Sequence, residues 1–338
     1  MLYKELLTLL LDRQDLPRDV MLVAMRALMS GDYAPEQIAG FLVALRMKGE
    51  SVAEIAAAAE VMRELSTKVP LAGTPHLVDT CGTGGDGAHT FNISTASAFV
   101  AAACGARVAK HGGRSVSSTS GSADVLEALG VNVNLAPEKV AQVVKDIGVG
   151  FMFAPNHHSA MKHAAPVRKS LGVRTMFNLL GPLTNPAGAP NQVLGVFSPE
   201  LTSKLARVLN ALGSRHVLVV HAEEGLDELS LASTTHVAEL KDGNVREYEL
   251  APGMFGLPQV AASELAVHGI DAARDMLLAA LENRHAAASA IVALNAGAAI
   301  YVCGRALSLS EGVEQAQAAI ASGDARAKLA DYVKASQA

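Results

Sequence analysis

Disulfide-forming cysteine is nearly absent: Cys81, Cys104 and Cys303 are the only three in 338 residues. That number is odd and far too small for a disulfide framework, so we expect a reduced, cytoplasmic protein. A surplus of positive charge is missing as well. The formal net charge is -5, which argues against a general nucleic-acid binder, since that class needs many phosphate-neutralising cations on one face. Charged residues are only 18% and hydrophobic residues 50%, which excludes a disordered chain. The apolar start is broken by Lys4 and Glu5 and closed by Asp12, so we expect no signal peptide. No internal repeat or low-complexity linker is visible. The uncharged run from Ala286 to Cys303 is alanine-rich and contains Asn295 and Gly297. We expect it to be a buried central helix rather than a membrane span.

What is there is enough chain for roughly two domains at ~150 residues each. The first seventy or so residues carry helical periodicity and good punctuation. Pro35 opens a helix that Gly49 stops, and Ser51-Val52-Ala53-Glu54 is a capping box for the next, running to about Thr67. We therefore expect an all-helical N-terminal domain over 1–70, with helices from about 163–185 as a candidate addition, and a larger domain over 71–338. The larger part alternates strand and helix. Strands are expected at His76–Thr80, Ala106–Ala109, Val149–Phe153, Gln192–Phe197 and His216–His221. Helices are expected from about Thr95 to Cys104, from Ala123 to Leu129, and throughout the last third from Ala261. The fold class is thus α/β, with a mostly parallel central sheet flanked by helices. Ligands of such sheets sit beyond the carboxyl ends of the strands.

The loop Gly82-Thr83-Gly84-Gly85-Asp86 follows the first of these strands. Gly82-x-Gly84-x-x-Gly87 fits the dinucleotide fingerprint, but two details oppose that reading. The fingerprint opens directly into a helix, whereas His89, Asn92 and Ser94 intervene here. The next strand should also end near an acid, and Lys110 stands there instead. A P-loop fails because Ala88 occupies the place of its lysine. What remains is a backbone-rich anion cradle leading through Asn92-Ile93-Ser94-Thr95 to a helix start, with Ser94 as a candidate cap. Cys81 beside it is expected to pack at the strand end rather than to act as a reactive thiol.

A second loop, Lys110-His111-Gly112-Gly113-Arg114-Ser115-Val116-Ser117-Ser118, combines two cations, paired glycines and hydroxyls. Ser122 and Asp124 then begin another helix. Two such loops at successive strand ends suit a ligand with more than one phosphate, although either alone is an ordinary solvated turn. The turn Gly225-Leu226-Asp227-Glu228-Leu229-Ser230 places adjacent carboxylates after a strand. That is plain surface charge by itself, and a Mg²⁺ site beside a polyphosphate. In Lys162 to Lys169, with Arg174 beyond, Arg168 is a candidate two-pronged carboxylate ligand. His157, His158 and His163 lack companions at zinc-ligand spacing.

Taken together, Asp79 to Thr95, Lys110 to Gly130, Arg168 to Gly188 (with Asn178-Leu179-Leu180-Gly181-Pro182-Leu183-Thr184-Asn185-Pro186) and Gly225 to Ser230 resemble the anthranilate phosphoribosyltransferases over essentially the whole chain. The resemblance implies transfer of phosphoribose from 5-phosphoribosyl 1-diphosphate (PRPP) to anthranilate in tryptophan biosynthesis. It also implies a Mg²⁺-dependent homodimer joined through the helical domain. Carried over, Gly82, Gly85, Asp86 and Thr90 line PRPP, and Asn92, Ile93, Ser94 and Thr95 hold its diphosphate. Lys110, His111, Gly112, Gly113, Arg114, Ser115, Val116, Ser117, Ser118 and Ser122 add PRPP contacts. Gly82, Gly113 and Arg168 fall at anthranilate positions, and Ser94, Asp227 and Glu228 at Mg²⁺ ligands. One position departs. The family's usual Lys-His-Gly-Asn-Arg has Gly113 in place of its asparagine, which removes a side-chain amide from the anthranilate end. A pyrimidine nucleoside phosphorylase is the related alternative, expected to carry a longer C-terminal domain. A silent nucleic-acid-binding relative is expected to be basic and to lack the acidic pair.

Overall fold

The computed structural model describes residues 2–114 and 120–338. Four helices open the chain: α1 (Tyr3–Leu11), α2 (Arg18–Ser30), α3 (Pro35–Lys48) and α4 (Val52–Leu65). Pro35 occupies the first turn of α3, where its missing N–H has no partner to lose, and Gly49 ends that helix at φ 89°. The capping box of α4 forms as read. Ser51 Oγ accepts from the Glu54 N–H at 3.3 Å, and the Glu54 carboxylate accepts from the Ser51 N–H at 2.8 Å. Glu54 is wholly buried, yet the Leu16 N–H at 2.9 Å and Lys48 Nζ at 2.8 Å complete its hydrogen bonds. A buried carboxylate without such partners would be strongly unfavourable.

The larger part begins with β1 (Leu77–Gly82), α5 (Ile93–Ala103), β2 (Arg107–Gly112), α6 (Ser122–Ala128), α7 (Pro137–Ile147) and β3 (Val149–Phe153). Three short helices follow, α8 (Ala154–His157), α9 (Ala164–Leu171) and α10 (Phe177–Leu180). Then come β4 (Asn191–Gly195), α11 (Glu200–Ala211), β5 (His216–Ala222), β6 (Thr235–Lys241) and β7 (Asn244–Leu250). Helices α12 (Ile270–Leu281), α13 (Ala286–Val302), α14 (Leu309–Ala321) and α15 (Asp324–Gln337) close the chain. The α9 helix packs on α3, and α10 on α4.

The sheet order is β3-β2-β1-β4-β5-β6-β7. Its first five strands are parallel, and β6 and β7 are antiparallel. The β6–β7 hairpin is absent from the sequence expectations above. Its signal was Asp242-Gly243, with φ of 48° and 83°, a dipeptide suited to the positive φ that tight hairpin turns require. The order reverses at β1, which pairs with β2 on one side and β4 on the other. Such a switch point opens a crevice at the carboxyl ends of the strands.

A second difference concerns α5, which begins at Ile93 with Asn92 in the capping position, earlier than Thr95. Ser94 therefore lies inside the first turn and is not the cap. The run from Ala286 forms α13, almost wholly buried against α5 and the sheet. It crosses α14 so closely that a β-carbon on Gly312 would sit 2.3 Å from the Gly297 carbonyl oxygen. Among the described residues, no single helix is long and apolar enough to cross a membrane.

Candidate active site

The connections after the five parallel strands leave the carboxyl edge of the sheet side by side, and hydrogen bonds tie them to one another. Gly84, Gly85 and Gly87 in the loop after β1 have φ of 65°, 79° and 72°, a region that residues with a β-carbon rarely enter. That geometry turns the Gly84 N–H toward the loop after β5, where Asp227 Oδ2 accepts it at 2.8 Å. Glu228 Oε1 accepts the Ser94 N–H in the first turn of α5 at 3.2 Å. The positive end of α5 thus faces a carboxylate, as the helix dipole favours. Gly82 has no spare room, since a β-carbon there would lie 2.5 Å from Asp227 Oδ2.

Lys110 connects this cluster to β2. Its ammonium is 3% exposed and donates to the Thr80 carbonyl and, at 3.1 Å, to Ser94 Oγ. Burial pushes the Asp227 and Glu228 carboxyls well above the usual range. Asp86 pushes Asp227 further, Asp227 does the same to Glu228, and Lys110 partly offsets the rise in Glu228. Crowded acids beside one cation leave a site whose charge balance favours a further positive ion. Two carboxylates and a hydroxyl are oxygen donors only, the set that suits Mg²⁺ shared with phosphates and not zinc.

The loop after β2 is fixed from below. Asp79, fully buried on β1, accepts the His111 N–H at 3.1 Å. Asn185 Nδ2 donates to Asp79 Oδ2 at 2.7 Å and to the Ala109 carbonyl at 2.9 Å. His111 and His158, from the segment after β3, share a hydrogen bond of 3.2 Å between their Nε2 atoms. Burial, then the neighbouring His158, lowers His111 to about 3, and burial lowers His158 to about 4. Both rings are therefore neutral at pH 7, one donating and the other accepting. Gly112 lies against Phe151 and Ser122, and the Gly113 carbonyl accepts the Ala123 N–H at 3.2 Å. Among the described residues, nothing lies within 4 Å of a β-carbon placed on Gly113.

Other expected site residues are placed less uniformly. Asn92 exchanges hydrogen bonds with Ser120 at 3.2 and 3.1 Å, joining the α5 start to the α6 approach. The Ile93 side chain is in the core, so only its backbone is available to a ligand. Thr95 Oγ1 is buried with no hydrogen-bond partner among the described residues. Thr90 bridges Ala266 in the segment before α12. The Arg114 guanidinium is paired with Asp124 at 2.8 Å and Glu127 at 2.6 Å on α6, which ties the loop after β2 to that helix. Ser115, Val116, Ser117 and Ser118 lie outside the described residues.

Arg168 sits on α9 with its guanidinium 5.4 Å from the Phe177 ring centroid, and partial burial lowers its pKa. Six residues on, Arg174 stacks 4.1 Å over Phe197 and donates to the Gly85 carbonyl. The segment carrying Arg168 is thereby anchored on the glycine loop. Sequence reasoning missed Gly195 on β4. A β-carbon there would lie 1.5 Å from the Asp227 carbonyl oxygen, and its own carbonyl accepts the Thr83 N–H at 2.9 Å. It also missed the part played by Asn185, whose signal was a polar residue closing an apolar run.

Residues 74–326 match the family model described as the α/β domain of a glycosyl transferase family, and residues 4–66 match its helical bundle domain. The chain is 60% identical to the anthranilate phosphoribosyltransferase of Laribacter hongkongensis, covering 98% of this chain and 97% of that protein. Identity to that of Thiobacillus denitrificans is also 60%, covering 98% and 96%. The crystal structure of the Thermus thermophilus enzyme superposes with a TM-score of 0.93 at 45% identity, covering 98% and 99%. The Saccharomyces cerevisiae enzyme in complex with PRPP and Mg superposes with a TM-score of 0.83 at 29% identity, covering 95% and 92%. With this geometry and these relatives, the chain belongs to the anthranilate phosphoribosyltransferases, enzymes of the glycosyltransferase type.

Proposed function

We propose that the crevice between the loops after β1, β2 and β5 binds Mg²⁺ and PRPP together, and that Arg168 and Gly113 mark the anthranilate end. The reaction is transfer of the phosphoribosyl group of PRPP to anthranilate, giving N-(5-phosphoribosyl)anthranilate and diphosphate in tryptophan biosynthesis. The observation that carries the site assignment is the meeting of the acidic turn with both anion-binding backbones, Gly84 N–H to Asp227 and Ser94 N–H to Glu228.

Gly82, Gly85, Asp86 and Thr90 would line PRPP, and Asn92 to Thr95, at the positive end of α5, would receive the diphosphate. Lys110 orients the Ser94 hydroxyl and adds a fixed positive charge at that place. Ser94 Oγ and the carboxylates of Asp227 and Glu228 would hold Mg²⁺, which supplies charge neutralisation to a departing diphosphate. The bond that breaks joins the anomeric carbon to the diphosphate oxygen, and the electron pair leaves with the diphosphate. The bond that forms joins that carbon to the anthranilate nitrogen, which then loses a proton. An aromatic amine is already neutral at pH 7, so positioning and stabilisation of leaving-group charge suffice without a strong base. The positively developing anomeric centre resembles that of glycoside hydrolysis. Arg168, which makes no ion pair with any described residue, suits the anthranilate carboxylate through a two-pronged contact.

A homodimer through the helical layer is part of the same reading. Leu2 and Leu11 at the ends of α1 and Val43 and Met47 on α3 are exposed apolar side chains on helices that pack together, as a subunit contact requires. Three free thiols accord with a cytoplasmic location. The test is a fluorescence assay for phosphoribosylanthranilate from PRPP and anthranilate, with Mg²⁺ and with a chelator. Turnover that needs Mg²⁺ supports the proposal, whereas turnover only of a nucleoside with phosphate overturns it.

A further inference from the structure

One polar side chain lies in the middle of the most apolar helix of the protein. Asn295 on α13 is 2% exposed, among alanine, leucine, isoleucine and valine. A buried amide in such surroundings is strongly unfavourable unless fully paired, and it is fully paired. Its Oδ1 accepts the Leu229 N–H at 2.9 Å, and its Nδ2 donates to the Leu229 carbonyl at 2.9 Å and to the Ile291 carbonyl at 3.0 Å. The amide therefore grips both backbone groups of one residue, as a neighbouring strand would. That residue directly follows Glu228.

The grip matters because the acidic turn has little regular structure of its own. Leu226 is held by its carbonyl, which accepts the Ala222 N–H at 3.0 Å. The Asp227 carbonyl rests on Gly195, and its carboxylate takes the Gly84 N–H. Beyond Glu228, the Ser230 N–H bonds Thr235 Oγ1 at 3.1 Å. Between these anchors, the link at Leu229 to the rigid core is Asn295. Two backbone hydrogen bonds to one residue fix both its position and its peptide-plane orientation, and the preceding peptide carries the Glu228 side chain. Leu229 itself is wholly buried, so its N–H and carbonyl have no water to fall back on.

We infer that Asn295 is a positioning residue for the reaction. It touches no substrate, and it holds the Asp227-Glu228 turn in the register that a divalent cation requires. This rests on the reading of that pair as the Mg²⁺ seat. Outer hydrogen-bond partners of metal ligands typically contribute roughly 10–100-fold in metal affinity.

Asn295→Leu, of similar size, removes both the acceptor for the Leu229 N–H and the donor to the Leu229 and Ile291 carbonyls. Asn295→Ser leaves neither at full reach. Both are compared with wild type for the Mg²⁺ concentration giving half-maximal turnover, for the anthranilate KM, and for Mn²⁺ binding in the presence of PRPP by electron paramagnetic resonance. The expected result is at least a roughly tenfold weaker Mg²⁺ half-activation and Mn²⁺ binding, with the anthranilate KM unchanged and excess Mg²⁺ restoring turnover. Lower thermal stability with unchanged metal dependence overturns the inference. Hydrogen exchange on the wild-type protein needs no variant: the Leu229 amide is expected to be among the slowest in the segment 223–231, and fast exchange there overturns it. Asp227→Ala and Glu228→Ala run alongside. If they leave the Mg²⁺ requirement intact, the seat itself is misassigned. If they abolish it while the Asn295 variants do not move it, only the positioning role fails.

Discussion

Gly195 and Asp227 share one space: a β-carbon on Gly195 would stand 1.5 Å from the Asp227 carbonyl oxygen. The acidic turn can lie on the end of β4 only because that position has no side chain. Gly195→Ala must either push the turn off the strand or bend the strand end, with an overpacking cost of about 1–3 kcal/mol. We expect chemical denaturation to show that loss, and Mg²⁺-dependent turnover to fall by more than the stability change accounts for. A variant as stable and active as wild type would show that the contact is not needed.

Asp227→Ala and Glu228→Ala each remove one carboxylate from the cluster around Ser94 and Lys110. Turnover at saturating substrate is expected to fall by at least about tenfold, with a raised Mg²⁺ requirement and an intact fold. Steady-state assays across Mg²⁺ concentrations check this. Full activity in both variants would remove the assignment.

The Mg²⁺ requirement should depend on pH in a definite direction. Asp227 and Glu228 have raised pKa values without a metal because of burial and of a neighbouring acid, Asp86 for Asp227 and Asp227 for Glu228, so protons compete with the cation for them. Rising pH from about 6 to 8 is expected to lower the Mg²⁺ concentration giving half-maximal turnover. Profiles measured at fixed ionic strength that run flat, or the other way, would contradict the electrostatics described.

No described residue lies within 4 Å of a β-carbon on Gly113, and its backbone carbonyl is already engaged by the Ala123 N–H. Gly113→Asn adds an amide at the proposed anthranilate end without a clash against any described residue. We expect tighter anthranilate binding by several-fold, consistent with about 1 kcal/mol for one added hydrogen bond, and an unchanged KM for PRPP. Steady-state KM values for anthranilate and PRPP at saturating Mg²⁺, with calorimetric titration of anthranilate into the PRPP-free enzyme, are the check.

Glu239 offers a stability prediction away from the site. On β6 it is 2% exposed and takes His216 at 2.9 Å, Tyr301 at 2.8 Å and Arg246 at 3.1 Å. Despite the opposing effect of burial, His216, Tyr301 and Tyr248 lower its pKa to about 2. A depressed carboxyl stabilises the fold above its unfolded pKa, by an amount that solvent screening reduces. The contribution fades as pH falls below about 4.5 toward 2. The wild-type advantage over Glu239→Gln in urea denaturation should therefore be full at pH 7 and narrow by pH 3.5.

Much of this was legible in the sequence because its signals are local. Ser51 and Glu54 announce a cap within four residues, and a strand followed by Gly82 to Asp86 announces an anion loop. The acidic turn was legible as residue types and not as geometry. Nothing local says that Gly84 and Ser94 turn their N–H groups on Asp227 and Glu228, because those pairings span more than a hundred residues. Gly195 and Asn185 were missed for the same reason: each acts on a loop from a different strand. The ion pairs of Arg114 were not legible, because a cation in a loop and one paired with the following helix look identical until α6 places Asp124 and Glu127 beside it. The start of α5 was set two residues late because Asn92, not Ser94, takes the capping position.

The central claim is that the acidic turn, the glycine loop and the first turn of α5 form one seat for Mg²⁺ and PRPP. Calorimetric titration of PRPP into wild type and Glu228→Ala, each with Mg²⁺ and with a chelator, tests it most directly. The account predicts that Mg²⁺ tightens PRPP binding to wild type by at least about tenfold, and that Glu228→Ala loses most of that gain. Equal Mg²⁺ enhancement in both proteins, or none in wild type, would contradict it.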